Sequence, residues 1–327
     1  VGTEGDIYKD SLVTTSPTWI NETGRLKILP LNDIQSDFHA GSNTLYALGN
    51  TGTLFQKRAG AFPWTKIATT YSVNLNSIEF LNRTIGVIAA NKGRMISVDV
   101  DPSNNYTVAL TAINIPATVT DNLNDVVVNA TNARVYAVGN NGLVLTMSNI
   151  GILSSFSKIS LGSNTRRLNG ASLWSDGTLL AVGEQNSIYN ITGTSIFRVG
   201  AIYTPAITKA HFNIASNGYL VGEKGLIRYT PDGVNWKVVL PSIALVPTPL
   251  DTFNNVYTTS PGKALILGKQ AYLAQILGTN SPVPITTGLS STISLNDIGF
   301  GGNSPNFGYI AGSNKTIGQI NVSTLVF

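Results

Sequence analysis

A short glycine-containing phrase recurs along the whole chain, and its spacing is the feature that most constrains the fold. The phrase is clearest at 136–142, where Tyr-Ala-Val-Gly-Asn-Asn-Gly follows a β-branched run. Its first glycine, or an alanine in one copy, falls at steps of 39 to 49 residues, at Gly2, Gly49, Ala90, Gly139, Gly183, Gly222, Gly268 and Gly312. Strand-like repeats with a period in the forties are typical of β-propeller blades.

A second phrase, of the Leu-Asn-Asp-Ile type, precedes the glycine phrase and predicts the innermost strand of a blade. It begins at Leu31, Leu75, Leu123, Leu168, Phe253 and Leu295, and a degraded seventh copy surrounds His211. The fourth strand of successive units is predicted to begin at an aromatic residue, namely Trp19, Trp64, Tyr106, Phe156, Phe197 and Trp236. We expect four of these, Trp19, Trp64, Phe156 and Trp236, to be buried between blades.

These repeats predict an all-β chain that forms a single β-propeller domain over residues 1–327. Seven inner-strand phrases indicate seven four-stranded blades, while eight glycine phrases leave eight blades, with a short first one, as the alternative. The chain begins at a second strand and ends within another unit. We therefore expect residues 1 to about 20 to pair with 305–327, because closing the ring removes exposed sheet edges.

The segment from Val221 to Lys237 carries the most specific motif in the chain. Its Asp232, Gly233 and Trp236 have the spacing of an Asp-box turn between the third and fourth strands of a blade, which other units keep only in eroded form. In this motif and in the regular spacing of its repeats, the chain resembles the photosystem II assembly-factor-like propellers with sialidase-type, BNR-like repeats. The resemblance implies a propeller and leaves the function open, because Asp-boxes stabilise turns at the blade periphery.

The composition suggests a setting for the protein. Charged residues make up 12% of the chain, about half the usual share of roughly 25%. Polar surface comes instead from Asn, Ser, Thr and Gly, and from this we predict an extracellular, cell-envelope or virion-surface location. No apolar run is long enough to span a membrane, and a net charge of +4 over 327 residues is too small to indicate nucleic-acid binding.

Residues suited to catalysis or metal binding are few, so no enzyme activity, cofactor or metal is predicted. The chain has no cysteine, and its two histidines are His39 and His211. A glycoside hydrolase is the less favoured alternative. For a sialidase, the resemblance would imply an arginine triad around the substrate carboxylate and a Tyr/Glu nucleophile pair, yet the arginines do not fall at one repeated position facing the channel.

The candidate site is a ring of polar residues at the start of the inner strands. Propeller symmetry should gather one residue per unit around the channel mouth, namely Asn32, Asn76, Asn124, Asn169, His211, Asn254 and Asn296. Three aspartates, Asp33, Asp125 and Asp297, lie beside them. The alternative is that Asn at the start of a strand only bonds neighbouring backbone groups and fixes the turn.

Two non-catalytic functions are open on this sequence. The first is an interaction scaffold that presents one propeller face to a protein partner in a larger assembly. The second is a module that recognises a glycan or another surface ligand. Exposed aromatic residues beside amides on a concave face would favour a glycan, whereas a broad apolar patch would favour a protein.

Overall fold

The computed structural model describes residues 30–37, 44–58, 64–152, 155–163, 165–174, 176–193, 195–198, 205–212, 217–239, 252–300, 307–313 and 316–321. Residues 1–20, which include Trp19 and are expected to pair with 305–327, and His39 lie outside these described residues. Within them the chain forms seven antiparallel sheets, each made of consecutive strands in sequential order.

Six of the sheets have four strands and are called blades 1 to 6. Blades 1 to 3 comprise β1 Leu31–Ser36, β2 Leu45–Gly49, β3 Leu54–Lys57 and β4 Thr65–Lys66; β5 Leu75–Asn82, β6 Ile85–Ala90, β7 Arg94–Asp101 and β8 Thr107–Ile113; β9 Leu123–Asn129, β10 Arg134–Gly139, β11 Val144–Met147 and β12 Ser157–Ile159. Blades 4 to 6 comprise β13 Leu168–Leu173, β14 Leu179–Gly183, β15 Ser187–Thr192 and β16 Ser195–Arg198; β17 Ile207–Phe212, β18 Gly218–Gly222, β19 Ile227–Thr230 and β20 Lys237–Val238; β21 Phe253–Ser260, β22 Lys263–Gly268, β23 Leu273–Leu277 and β24 Val283–Pro284.

The remaining sheet has three strands among the described residues, β25 Leu295–Phe300, β26 Phe307–Gly312 and β27 Ile317–Asn321. The chain is thus an all-β propeller, as the repeats predict, but the expected count is corrected. Within the described ranges, six four-stranded blades are present rather than seven or eight. The repeated phrases mark the first two strands of a unit, here β25 and β26, and among the described residues one further strand, β27, follows them in this sheet. The pairing expected for 1–20 falls outside the described residues.

The glycines of the repeated phrase bring each second strand close to the segment that precedes the inner strand. A Cβ atom at Gly49, Gly139 or Gly183 would lie 2.1–2.2 Å from a backbone carbonyl oxygen of that segment. The second glycine of the phrase has positive φ, as at Gly52 (+71°) and Gly142 (+65°). Short 3-10 turns follow several second strands, at Asn50–Gly52, Asn140–Gly142, Glu184–Asn186 and Glu223–Gly225, and another lies at Ile150–Ile152.

The repeated aromatic position is buried in some blades and exposed in others. Trp64 and Phe156 are 2% and 4% exposed, as expected, and Trp64 packs between blade 1 and Tyr309 of the three-stranded sheet. Trp236 is only partly buried, against Phe212. Phe197 is 66% exposed, because it lies within the outermost strand β16 rather than ahead of it.

Asp232 forms a tight turn between the third and fourth strands of blade 5. Its carboxylate accepts the backbone N–H groups of Val234 and Asn235 at 2.9 and 2.8 Å. These bonds, with one from the Asn235 side chain, hold the pKa of Asp232 well below its ordinary value. The Asp232 carboxylate thus holds the turn through hydrogen bonds to its backbone.

Candidate binding site at the channel mouth

Each inner strand begins with a β-bulge that turns one polar side chain sideways. In blade 1, Leu31 pairs with Gly49 and Asp33 with Leu48, so that Asn32 has no cross-strand partner. A bulge re-aims the side chain of the extra residue. The amide of Asn32 consequently reaches the neighbouring blade, where it donates to the Leu75 carbonyl oxygen at 2.7 Å.

The same bond recurs around the whole ring. Its donors, called the clamp residues, are Asn32, Asn76, Asn124, Asn169, Thr208, Asn254 and Asn296. Each donates to the carbonyl of the first residue of the next inner strand, and Asn296 returns to Leu31 at 2.8 Å. The clamp residues therefore form an unbroken circuit of hydrogen bonds between neighbouring inner strands.

His211 does not belong to this ring. The register of β17 against β18 places Thr208 at the bulge, where its hydroxyl donates to the Phe253 carbonyl at 2.6 Å. His211 lies three residues further along the strand, with its ring 4.4 Å from that of Tyr257. The other six predicted residues share this bond, and the seventh donor is Thr208 rather than His211. Thr replaces Asn there because its hydroxyl supplies the same donor. That these residues bind a partner stays a prediction.

A second group of side chains, in the turns after the second strands, lies on the same face. The turn residues are Asn50, Asn91, Asn140, Glu184 and Glu223. In blades 1 to 3, the turn asparagine accepts the second N–H of the clamp amide, as Asn50 does from Asn32 at 3.2 Å. In blades 4 and 5, the glutamate instead accepts a backbone N–H, from Arg167 or Ala206.

The turn residues and five of the clamp residues line a concave cavity of about 920 Å³, called the mouth. The five are Asn32, Asn76, Asn124, Asn169 and Thr208. Asn74 and Asn122, which immediately precede two inner strands, also line it, as do Arg167, Gln185 and Lys224. The clamp and turn asparagines are half-buried. The mouth is therefore a polar surface whose amides are fixed by hydrogen bonds to the fold.

Further along the inner strands, charged residues meet in a smaller cavity of about 220 Å³, called the channel cluster and centred on Asp33, Asp125, Lys209 and Asp297. Lys209 contacts Asp125 at 2.7 Å, and their side chains are 24% and 2% exposed. Burial lowers the pKa of Lys209, but the three carboxylates outweigh it and hold the pKa above its ordinary value. The lysine is thus charged.

The aspartates of this cluster also join the blades. Asp33 accepts the Ile78 N–H at 2.6 Å, and Asp297 accepts the Ile34 N–H at 2.9 Å. Burial, and then the Asp33 carboxylate beside it, raise the pKa of Asp297 well above its ordinary value. The aspartates predicted to assist the asparagines at the mouth therefore lie in the channel, where they bond neighbouring strands.

Glu79 makes stability depend on pH. Burial, and then Asp33, raise its pKa to about 7. The folded state therefore binds the Glu79 proton more tightly than the unfolded chain, and stability falls as pH rises from about 4.5 towards 7. At pH 8, we expect Glu79→Gln to be more stable than the wild type by about 1–3 kcal/mol in urea denaturation. At pH 4 the two proteins should be equal, and the same difference at both pH values would contradict this assignment.

His211 makes stability change with pH in the opposite direction. Its Nδ1 accepts the Thr258 N–H at 3.1 Å, which requires an unprotonated nitrogen. Burial, and then the charge of Lys209, lower its pKa to about 4. Its contribution to stability is therefore lost as pH falls from about 6.5 through 4. Because both proteins in the Glu79 comparison retain His211, this contribution cancels from their difference.

The clamp bond predicts a stability cost at Asn124. Asn124→Ala removes the donor that bonds the Leu168 carbonyl at 2.7 Å and leaves no hydroxyl in its place. We expect the free energy of unfolding to fall by about 1–3 kcal/mol, since a buried carbonyl loses its partner. Urea denaturation measures the change, with the exposed Lys158→Ala as control. A wild-type midpoint for Asn124→Ala would show that the clamp contributes nothing.

Comparison with known proteins supports the fold alone. No protein-family model matches the chain, and no curated protein does. A solved structure described as "YCF48 bound to D1 peptide" is similar over 88% of this chain and 90% of its own, with a TM-score of 0.67 and 14% identity. YCF48 from Cyanidioschyzon merolae is similar over 90% and 97%, with a TM-score of 0.69 and 12% identity. The Asp-box repeat family therefore stays a prediction.

The predicted extracellular, cell-envelope or virion-surface location is wrong. Two solved structures of similar fold are YCF48 proteins, one of them bound to a D1 peptide, and this finding overturns the predicted location. The prediction rested on a surface rich in Asn, Ser, Thr and Gly. That composition reflects how this propeller is built, since asparagines join its blades, and it does not identify a compartment.

Features of other functional classes are absent from the described part of the chain. It contains no group of three or more His, Asp or Glu side chains placed to hold a metal ion. Arg167 is the one arginine that lines the mouth there, so the triad expected of a sialidase is not assembled at this face. No helix within the described ranges has the length and apolar character to cross a bilayer.

Proposed function

We propose that this chain is a non-catalytic propeller scaffold that binds a segment of a protein partner at the mouth. The observation that carries the proposal is the cavity of about 920 Å³, lined by asparagine amides that the fold holds in place. We also propose that all 327 residues form one domain. A peptide complex of YCF48 gives an example of this fold binding a protein segment.

The fixed amides suit an extended peptide. A main chain offers carbonyl and N–H groups at short intervals, and the mouth offers amides around most of its circumference. Because the clamp amides are already ordered by the fold, binding costs little further side-chain entropy at these positions. The same fixed geometry would favour one register of the bound segment.

A glycan is less well supported. Among the described residues, none of the side chains that line the mouth is aromatic. Sugar rings therefore lack the stacking surface that would have favoured a glycan. The mouth also lacks a broad apolar patch, so that a protein segment would bind it chiefly through hydrogen bonds.

The proposal is tested by selecting peptides from a random displayed library against the full chain. We expect selected peptides to bind the wild type and to lose binding to Ala206→Trp, which fills the mouth. Lys158→Trp on the outer strand of blade 3 is the matched control and should bind them normally. Peptides that bind Ala206→Trp as well as the wild type would place recognition elsewhere and contradict the proposal.

A further inference from the structure

We propose that the mouth recognises its partner as a surface of hydrogen-bond donors, and so selects a peptide segment whose oxygen atoms face it. This inference rests on the proposed function and specifies the chemistry of the same site. It follows from the direction of the hydrogen bonds behind the mouth.

The orientation of each amide is fixed by partners that can act in only one way. The Leu75 carbonyl can only accept, so Asn32 must present its Nδ2 to it. The remaining N–H of Asn32 points to Asn50, which must accept through Oδ1. Asn50 therefore keeps its own Nδ2 free of any partner among the described residues. The same chain of bonds orients the asparagine pairs of blades 2 and 3.

Two further asparagines are oriented by backbone donors. Asn74 accepts the Thr51 N–H at 3.2 Å, and Asn122 accepts the Lys92 N–H at 3.0 Å. A backbone N–H can only donate, so each side chain uses its oxygen and leaves its NH2 group available. Within the described residues neither NH2 group has a partner, and both residues line the mouth.

Among the described residues, blades 1 to 3 thus present five NH2 groups without a partner, on Asn50, Asn74, Asn91, Asn122 and Asn140. Each carries two N–H bonds, whereas the three clamp asparagines of these blades each present one oxygen without a partner there, with two lone pairs. Among these side-chain groups, donors therefore outnumber acceptors on this side of the mouth. In blades 4 and 5 the turn residue is Glu184 or Glu223, whose second carboxylate oxygen can only accept.

This geometry allows a substitution that alters recognition and leaves the fold intact. Asn74→Asp and Asn122→Asp keep the oxygen that accepts the backbone N–H and replace the free NH2 group by an oxygen. We expect the double variant to bind the library-selected peptides about tenfold more weakly or worse, because at least two hydrogen bonds are lost. Its urea midpoint should match that of the wild type.

A substitution at Glu184 adds a donor to the mouth instead of removing one. Glu184→Gln keeps one oxygen for the Arg167 N–H and converts the other to a donor, so we expect tighter peptide binding. Ser157→Asp with Ser160→Asp adds the same charge as the double asparagine variant on the outside of blade 3, and should leave affinity unchanged. The effects should persist at high salt, where a long-range charge effect is screened.

The outcomes separate this inference from the proposed function. One outcome would be that selected peptides bind at the mouth and yet bind the Asn74→Asp, Asn122→Asp variant as tightly as the wild type. This result would contradict the inference of a donor surface, but it would agree with the proposed scaffold function. An affinity loss that disappears at high salt would also overturn it, in favour of charge. A library that yields no peptide sensitive to Ala206→Trp would overturn both.

Discussion

Trp64→Ala is expected to lower the free energy of unfolding by about 3–5 kcal/mol, the largest effect of any single change considered for this chain. Trp64 is 2% exposed and packs among residues of blade 1 and the three-stranded sheet, including Tyr309. Its removal leaves a cavity at the contact between two sheets. The loss should appear as a lower urea midpoint with an unchanged slope.

A matched control comes from the repeat itself. Phe197 was predicted at the equivalent position of its unit but is 66% exposed, so Phe197→Ala should change stability by no more than about 0.5 kcal/mol. Phe156, 4% exposed, should behave like Trp64. If Trp64→Ala and Phe197→Ala have similar urea midpoints, the assignment of Trp64 to the contact between two sheets is wrong.

Lys209→Met is expected to cost roughly 3 kcal/mol at neutral pH. The methionine retains most of the side-chain volume but removes the charge that contacts Asp125 at 2.7 Å. Asp125 is 2% exposed, so its carboxylate is left buried without a cation. Removing one partner of a buried pair costs more than the pair itself contributes. Urea denaturation at pH 7 measures the loss.

A double-mutant cycle identifies the cause. If the loss comes from the uncompensated carboxylate, Asp125→Asn should recover part of it in the Lys209→Met background. Lys209→Arg, which retains the charge, should lose less than Lys209→Met. Lys158→Met is the control for loss of an exposed lysine. Additive effects of the Lys209 and Asp125 changes would show that the two side chains are not coupled.

The repeat was sufficient to predict the propeller and six of the seven clamp positions. Periodicity identifies strands that pack identically, and Asn at one phase of the repeat is visible in the sequence. The seventh position was missed because Ile207-Thr208-Lys209-Ala210-His211 has no asparagine, and His211 was predicted in its place. An alignment of Ile207 with Leu31 places Thr208 at the clamp position. It also places Lys209 at the repeat position that Asp33 has in the first unit.

The chemistry of the mouth was less accessible to sequence reasoning. The amide of Asn32 could have faced solvent or the next blade, and only the bulge in β1 decides between them. Asn74 and Asn122 precede inner strands in the sequence, but whether their oxygen or their nitrogen is free depends on contacts with turns about 23 and 30 residues away. Such contacts belong to the three-dimensional fold and have no periodic signature.

A crystal structure of the full chain with a library-selected peptide would show where the partner segment binds and which atoms recognise it. We expect the peptide in the mouth, with its oxygen atoms within hydrogen-bond distance of Asn74 Nδ2 and Asn122 Nδ2, and the clamp bonds unchanged. A peptide bound along the outer strands of the blades, with the mouth empty, would show that the mouth is not the binding site.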